Sequence, residues 1–395
     1  MTNFWEISPN WRASWQATAD FRTDILTSRS GREQRIALRT EPRRRMTWTI
    51  TCTRDRYRTL LRLIDSVGSQ GGDWYFADHV VSVAIASARP AGAFSVEVAS
   101  VPSWISPGKK VVLYADQRQE LYTVDSISET TVVFLEEFPA VWPAHTKVLP
   151  ARYGRLSSEL SGEDHTNNTV EMAVTAELDP GIGVADIIDS APVMFNGREV
   201  FTWKPNWRER VGSGFSAGRE TVDYGSGRLA HYLPVAFSER NRRMVFVRKS
   251  VSEAEAMQQF FLRMKGQQGE FYMSTGADDV ISMTDLVSGA STITVAGDMF
   301  AEAYSADTVH KALAVYLLDG SVIYRTVSGI TVVDGNSRVT VGAPWADTIP
   351  MESVIRISWL LVWRLLSDSM TTEWLTTTVA QVALNMKTLE DLPGE

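Results

Sequence analysis

Catalysis and metal binding need reactive side chains spaced so that they can converge, and the candidates in this chain are scattered. The five histidines, His79, His145, His165, His231 and His310, lie far apart. No pair has the spacing that would set two imidazoles around a zinc ion. Asp278-Asp279 could help hold a cation, but adjacent acids also mark a solvated turn. Gly212-Ser213-Gly214 lacks the Lys-Ser/Thr of a phosphate-cradling loop and reads as a loop, and Gly225-Ser226-Gly227 reads as a turn. The single cysteine, Cys52, excludes an intramolecular disulfide and a cysteine-based metal site. It continues the alternation of Trp48 and Ile50, which makes it a core position. These readings predict no enzyme, no cofactor and no metal.

Two residue types remain as candidates for recognition. The chain holds 13 tryptophans, which suit a core, a protein interface or, for Trp104, Trp142 and Trp345, a carbohydrate platform. Arginine is concentrated near the start: residues 1–62 carry 13 arginines against six acids, whereas 265–395 is acidic and the whole chain has a formal charge of -8. The net charge argues against sequence-independent nucleic-acid binding. Arg43, Arg44, Arg45, Arg242 and Arg243 are the interface candidates, since a guanidinium can bind a neighbour's carboxylate through two hydrogen bonds. The alternative is that they extend into water beside a sheet.

The elements that would position these residues read as mainly β. Trp11, Ala13, Trp15 and Ala17 alternate with polar residues, as do Met46, Trp48, Ile50 and Cys52. The period then changes. Tyr57, Leu60, Leu61, Ile64 and Val67 follow helical spacing before Gly68, and Ala256, Phe260, Phe261 and Met264 do so before Gly266, with Ser252 and Glu255 as a capping box. Short segments rich in β-formers fill 81–148 and 284–357, the pattern of a small sandwich or barrel. The first six residues lack a signal peptide's basic and apolar segments, and the apolar run 355–366 is interrupted by Arg356 and Arg364, so a soluble protein without membrane insertion is expected.

The chain repeats itself in order. Pro9-Asn10-Trp11-Arg12 returns as Pro205-Asn206-Trp207-Arg208, and Ser30-Gly31-Arg32-Glu33 as Ala217-Gly218-Arg219-Glu220. Arg44-Arg45-Met46 returns as Arg242-Arg243-Met244, and Gly72-Asp73-Trp74-Tyr75-Phe76 as Gly269-Glu270-Phe271-Tyr272-Met273. Gly92-Ala93 answers to Gly289-Ala290, and Arg155–Glu159 to Arg364–Asp368. A tandem duplication of a unit of roughly 190 residues is expected. The expected first domain is 1–80 plus 150–180, interrupted by a β-module at 81–149. The second is 195–280 plus 358–390, interrupted at 281–357, with a packed linker at 181–194.

The repeated Trp-Arg strand, Gly-Arg-Glu loop, paired arginines, amphipathic helix and Gly-plus-aromatic strand resemble distal or minor tail-tip proteins of long-tailed bacteriophages and gene-transfer-agent-like particles. The resemblance covers 9–79 and 205–275 best. It implies two tail-tube-like β-sandwich domains, each with a flanking helix, in a non-enzymatic ring that continues the tail tube and joins it to the hub and fibres. The ring-building core would be Trp11, Trp15, Met46, Trp48, Leu60, Leu61 and Ile64, with Trp207, Met244, Phe246, Phe260 and Phe261 in the second copy. The partners implied are copies of the chain itself, the tail tube protein, the hub and peripheral fibres. DNA would pass through the channel without specific binding. The location would be the virion tail tip, assembled in the host cytoplasm. Two domains per chain imply a homotrimer with pseudo-six-fold symmetry, a hexamer being the rival. The alternative function is a glycan-binding, adhesin-like protein, for which exposed aromatic pairs beside loop carboxylates in the modules would speak.

Overall fold

The computed structural model of the chain describes residues 3–28, 30–68, 72–116, 118–157, 160–179, 191–217, 219–232 and 238–390. Most of the linker 181–194, Gly218, the end of the Arg155–Glu159 match and the last five residues lie outside them. The fold is mainly β.

The first half contains β1 (Asn3–Phe4), β2 (Trp15–Asp20), β3 (Thr23–Thr27), β4 (Glu33–Ala37), β5 (Arg43–Thr53), α1 (Arg54–Gly68) and β6 (Trp74–Ala77). The module follows with β7 (Val83–Ala84), β8 (Ser95–Glu97), β9 (Lys110–Ala115), β10 (Arg118–Ile127) and β11 (Thr131–Phe134), and the half closes with β12 (Lys147–Leu156), β13 (Ser161–Thr166) and β14 (Thr169–Leu178). The second half begins with β15 (Met194–Phe195), β16 (Arg198–Phe201), β17 (Gly212–Ala217), β18 (Glu220–Asp223), β19 (Leu229–Tyr232), β20 (Ser238–Arg248), α2 (Val251–Met264) and β21 (Phe271–Ser274). It continues with β22 (Thr292–Val295), α3 (Met299–Tyr304), β23 (Ala312–Leu317), β24 (Val322–Val333), β25 (Asn336–Val341), β26 (Val354–Leu365), β27 (Ser369–Trp374) and β28 (Ala380–Thr388).

The pairing scheme of one half is that of the other. β1 lies parallel to β6, β6 pairs with β12, β12 with β9 and β14, β14 with β13 and β5, and β5 with β2. In the same way β16 lies parallel to β21, β21 pairs with β26, β26 with β23 and β28, β28 with β27 and β20, and β20 with β17. Inside the modules, β9–β10–β11–β8 answers to β23–β24–β25–β22. Loop details repeat as well. The Asn10 and Asn206 amides donate to Thr49 and Val245 carbonyls, and each side chain accepts from the arginine two residues on. Gly92 and Gly289 both take positive φ and donate to the carbonyls of Phe138 and Trp345. Both modules meet their parent sheets inside continuous strands, because β12 and β26 run through 149 and 357 without a break.

Each helix lies over the apolar face of its half. In α2 the cap is Ser250, two residues earlier than the Ser252 that the sequence suggests. Its hydroxyl accepts from the Glu253 amide at 3.2 Å, while the Glu253 carboxylate accepts from the Lys249 amide at 3.1 Å. Lys265 and Gly266 end the helix with positive φ. A Cβ on Gly266 would stand 2.5 Å from the Asp368 carboxylate, so this turn needs glycine for space as well as for φ. Phe246, Phe260, Phe271 and Phe201 form the aromatic centre of the second half; Trp5, Trp15, Trp48, Trp74 and Phe76 form that of the first. The first module has its own core around Val96, Phe134 and Trp142, whereas the second shares the core of its parent.

Candidate functional site

The two halves meet strand to strand. β2 pairs antiparallel with β27, from Trp15 opposite Trp374 to Asp20 opposite Ser369. The result is one antiparallel sheet of eight strands in the order β13-β14-β5-β2-β27-β28-β20-β17, four from each half. Strand alternation gives this sheet two unlike faces. Met46, Trp48, Met172, Val174, Met370, Trp374, Val382, Leu384, Met244 and Phe246 are buried on one face, under the helices. The other face carries Gln16, Thr18, Arg45, Thr47, Thr175, Thr371, Glu373, Gln381, Asn385 and Arg243, all exposed or half-buried. Thr18 and Thr371 hydroxyls bond across the joint at 3.0 Å, and Thr47 bonds Thr175 at 3.2 Å. Charges of both signs are mixed among these hydroxyls and amides.

The joint is locked by the β3–β4 hairpin. Glu33 accepts two hydrogen bonds from Arg364, at 2.7 and 2.9 Å, and lies 2.6 Å from the Lys387 ammonium. The Glu33 and Arg364 side chains are 3% and 5% exposed. Burial by itself would raise the Glu33 pKa, but the hydrogen bonds and charges of Arg364 and Lys387 outweigh it and hold the carboxyl below its ordinary value. Arg35 pairs with Glu270, the Thr23 hydroxyl donates to Asp368, and the Phe21 ring packs on Phe261 at 5.7 Å. A cleft of about 740 Å³ opens beside the joint, walled by Trp15, Arg44, Trp104, Arg152, Glu255 and Trp374. Burial raises the Glu255 pKa there, Asp78 adding to it and Arg152 opposing it. Nearby, His79 packs against Trp15 and Tyr114, and burial lowers its pKa to about 4.

The expected core residues divide. Trp15, Met46, Trp48, Leu60, Met244, Phe246, Phe260 and Phe261 are buried. Ile64 packs against the first core from a half-buried position. Trp207 is 77% exposed and Leu61 is at the helix surface, so neither is core. Trp11 is not in a strand. It sits in a turn with φ 55° and stacks half-buried on Trp15. Two repeated motifs also sit at unlike places. Gly31-Arg32-Glu33 leads into β4, the second strand of its hairpin, but Arg219-Glu220 leads into β18, the first. Leu156 faces Ala176 and Leu365 faces Met386, yet Ala176 faces Met46 while Met386 faces Arg242. The Arg-Arg-Met runs are therefore two residues out of register, a shift that a period of two leaves on the same face.

That shift divides the arginine candidates. Arg242 is committed within the chain: it donates to the Thr275 carbonyl at 2.9 Å, lies 5.6 Å from the Trp363 ring centroid, and has its pKa lowered by burial and by Arg240 against Asp279. Arg44 lines the cleft. Arg43, Arg45 and Arg243 are exposed on the polar face, with Arg45 4.0 Å from Glu177. They stand on strands inside the sheet and not on its edges. Trp142 and Trp345 are 0% and 1% exposed, so the three-tryptophan platform does not form; Arg118 and Arg325 cover these two rings at 4.0 and 5.3 Å. Sequence reasoning missed the β2–β27 joint and the Glu33–Arg364 pair. Both residues belong to noted motifs, but no local signal links positions 331 apart.

Among the described residues no group of three metal-ligating side chains converges, and no helix is long and apolar enough to cross a membrane. No protein-family model matches the chain, and no curated protein matches it either.

Proposed function

We propose that this chain is a structural tail-tip protein of a long-tailed bacteriophage or gene-transfer-agent-like particle, forming a ring around a channel that continues the tail tube. The observation that carries this reading is the eight-stranded sheet, with one face packed under the helices and open at the cleft beside the joint, and the other largely polar, mixed in charge and, among the described residues, without a helix. A sheet of this kind suits the wall of an aqueous channel. Its threonine, glutamine and asparagine surface is interrupted by few apolar side chains, Ala173, Val245, Val247 and Ala383, and its mixed charges give passing DNA no continuous cationic track to adhere to. Arg43, Arg45 and Arg243 would then face the lumen, not a neighbouring subunit. The two half-chains supply two equivalent segments of wall, so three chains supply six. The tube and hub would meet the two ends of the ring, and fibres or peripheral proteins the outward modules.

Electron-microscopy class averages down the symmetry axis, with a native mass, test this reading. A closed ring of three chains with pseudo-six-fold density around an open centre is the expected result. A protein that stays monomeric under all assembly conditions would remove it. For the glycan-binding alternative, Trp142 and Trp345 are taken up in the module cores, while Trp104 walls the cleft.

A further inference from the structure

The joint inside the chain shows how one unit receives the next. β2 and the β3–β4 hairpin of the first unit are the donor, and β27 of the second unit is the receiving strand. The second unit carries its own donor, β17 with the β18–β19 hairpin, and the first carries its own receiver, β13. Among the described residues β17 pairs only with β20, β13 only with β14, and β18 only with β19. All of β17 and β18 is exposed, with Phe215 at 70%, and the hairpin exposes Val222, Tyr224, Leu229 and Tyr232. An edge with unpaired backbone groups and apolar side chains is a template for another strand, and β17 carries neither the lysine nor the proline that commonly blunts such edges.

We propose that β17 of one chain pairs antiparallel with β13 of a second copy, its β18–β19 hairpin folding over that copy's first half, so that the internal joint is repeated between chains. This rests on the ring reading above and names its contact. The register follows from the internal pairs. Thr47 faces Gln16 and Thr175, and Arg243 faces Gly212 and Asn385, so Gln16 answers to Gly212. Glu163 faces Glu171 as Glu373 faces Gln381, so Glu163 answers to Glu373. Gln16 lies opposite Glu373 within the chain; between chains Gly212 lies opposite Glu163. The same register sets Phe215 against Leu160 where Ala19 meets Met370. It also brings the exposed Arg210, just before β17, opposite His165 and next to Asp164, whose carboxylate Arg54 already holds at 2.6 Å. The hairpin would reach Asp73, Arg155 and Glu177, the first-half counterparts of Glu270, Arg364 and Lys387; Arg155 is 69% exposed beside Asp73.

Cysteine cross-linking tests the contact. Opposed residues of an antiparallel pair have Cα atoms about 4.5–5.5 Å apart, within disulfide reach. Chains bearing Gly212→Cys are mixed with chains bearing Glu163→Cys, assembled and oxidised. A covalent two-chain product from the mixture, and from neither chain alone, is expected. Moving the second cysteine to Asp164→Cys turns it to the opposite face and should remove the product. Phe215→Asp should weaken self-association at least tenfold with the monomer's melting temperature unchanged. Rings that form without the cross-link overturn this contact and leave the ring reading standing. Cross-linked open filaments uphold the contact and overturn closure. Chains that never associate overturn both.

Discussion

The hairpins β3–β4 and β18–β19 follow topologically equivalent strands, yet they live in different surroundings. The first folds over the other half of its own chain, with Glu33 enclosed by Arg364 and Lys387 and Phe21 set against Phe261. The second stands in solvent, with Leu229 at the register position that answers to Glu33 and 56% exposed. One contact of this kind is made inside the chain, at β2 and β27, and the proposed contact between chains would give the bare hairpin the same surroundings.

Breaking the occupied joint should have the largest effect. Glu33→Ala leaves Arg364 enclosed without its carboxylate and Lys387 with Glu239 alone, and losing one partner of a buried charge cluster costs about 3–5 kcal/mol. Leu229→Ala, its counterpart, should change monomer stability by less than about 0.5 kcal/mol, as exposed positions do. Chemical denaturation of both variants measures the difference; equal losses would dissolve the comparison.

Acid should act mainly on the first half. His79 is neutral when folded, with a pKa of about 4, and titrates near 6.5 when unfolded. The unfolded chain therefore binds the extra proton between these values, and stability falls as pH drops through that window, by on the order of 3 kcal/mol in total. Hydrogen exchange at successive pH values should show the His79 region loosening while α2 stays protected. A His79→Gln chain that keeps the same acid profile would refute this assignment.

Glu33 gives the joint a second and lower acid limit. Its folded pKa is depressed, so its contribution is fully present above the ordinary glutamate value of about 4.3 and is lost as acid reaches the lowered value. Glu33→Gln should be less stable at neutral pH and should flatten the profile below about pH 4. An unchanged slope there would mean that the Arg364–Lys387 enclosure does not act through charge.

The smallest effect separates the paired tryptophans. Trp11→Ala removes a ring stacked on Trp15 and should cost on the order of 1 kcal/mol, the range of an aromatic pair. Trp207→Ala, at the same place in the repeated motif, should cost less than about 0.5 kcal/mol in the monomer. Thermal melts of the two variants decide it, and a larger loss at Trp207 would show that its exposure misrepresents its role.

Much of the architecture was legible because it is local. Alternation marked β5, and the change of period at Arg54 and near Val251 marked the helices, since one-sided burial imposes those spacings on any chain. Motif identity was a poorer guide to position. Arg-Arg-Met matched two residues out of register and Gly-Arg-Glu matched across different hairpin strands, because a period of two keeps a face while losing a place. The parallel strands β1 and β16 left no signal, being short and dependent on partners far along the chain.

The sequence alone therefore determined that this protein is mainly β, that its units recur, and that each carries a helix before a Gly-plus-aromatic strand, since these follow from patterns within a few residues. Only the tertiary structure decided that β2 crosses to β27, that Glu33 closes the joint, that Arg242 turns inward while Arg243 stays exposed, and that Trp142 and Trp345 are core. Those outcomes depend on which distant surfaces meet, and the free energy of meeting is spread over many residues, none of which encodes it by itself.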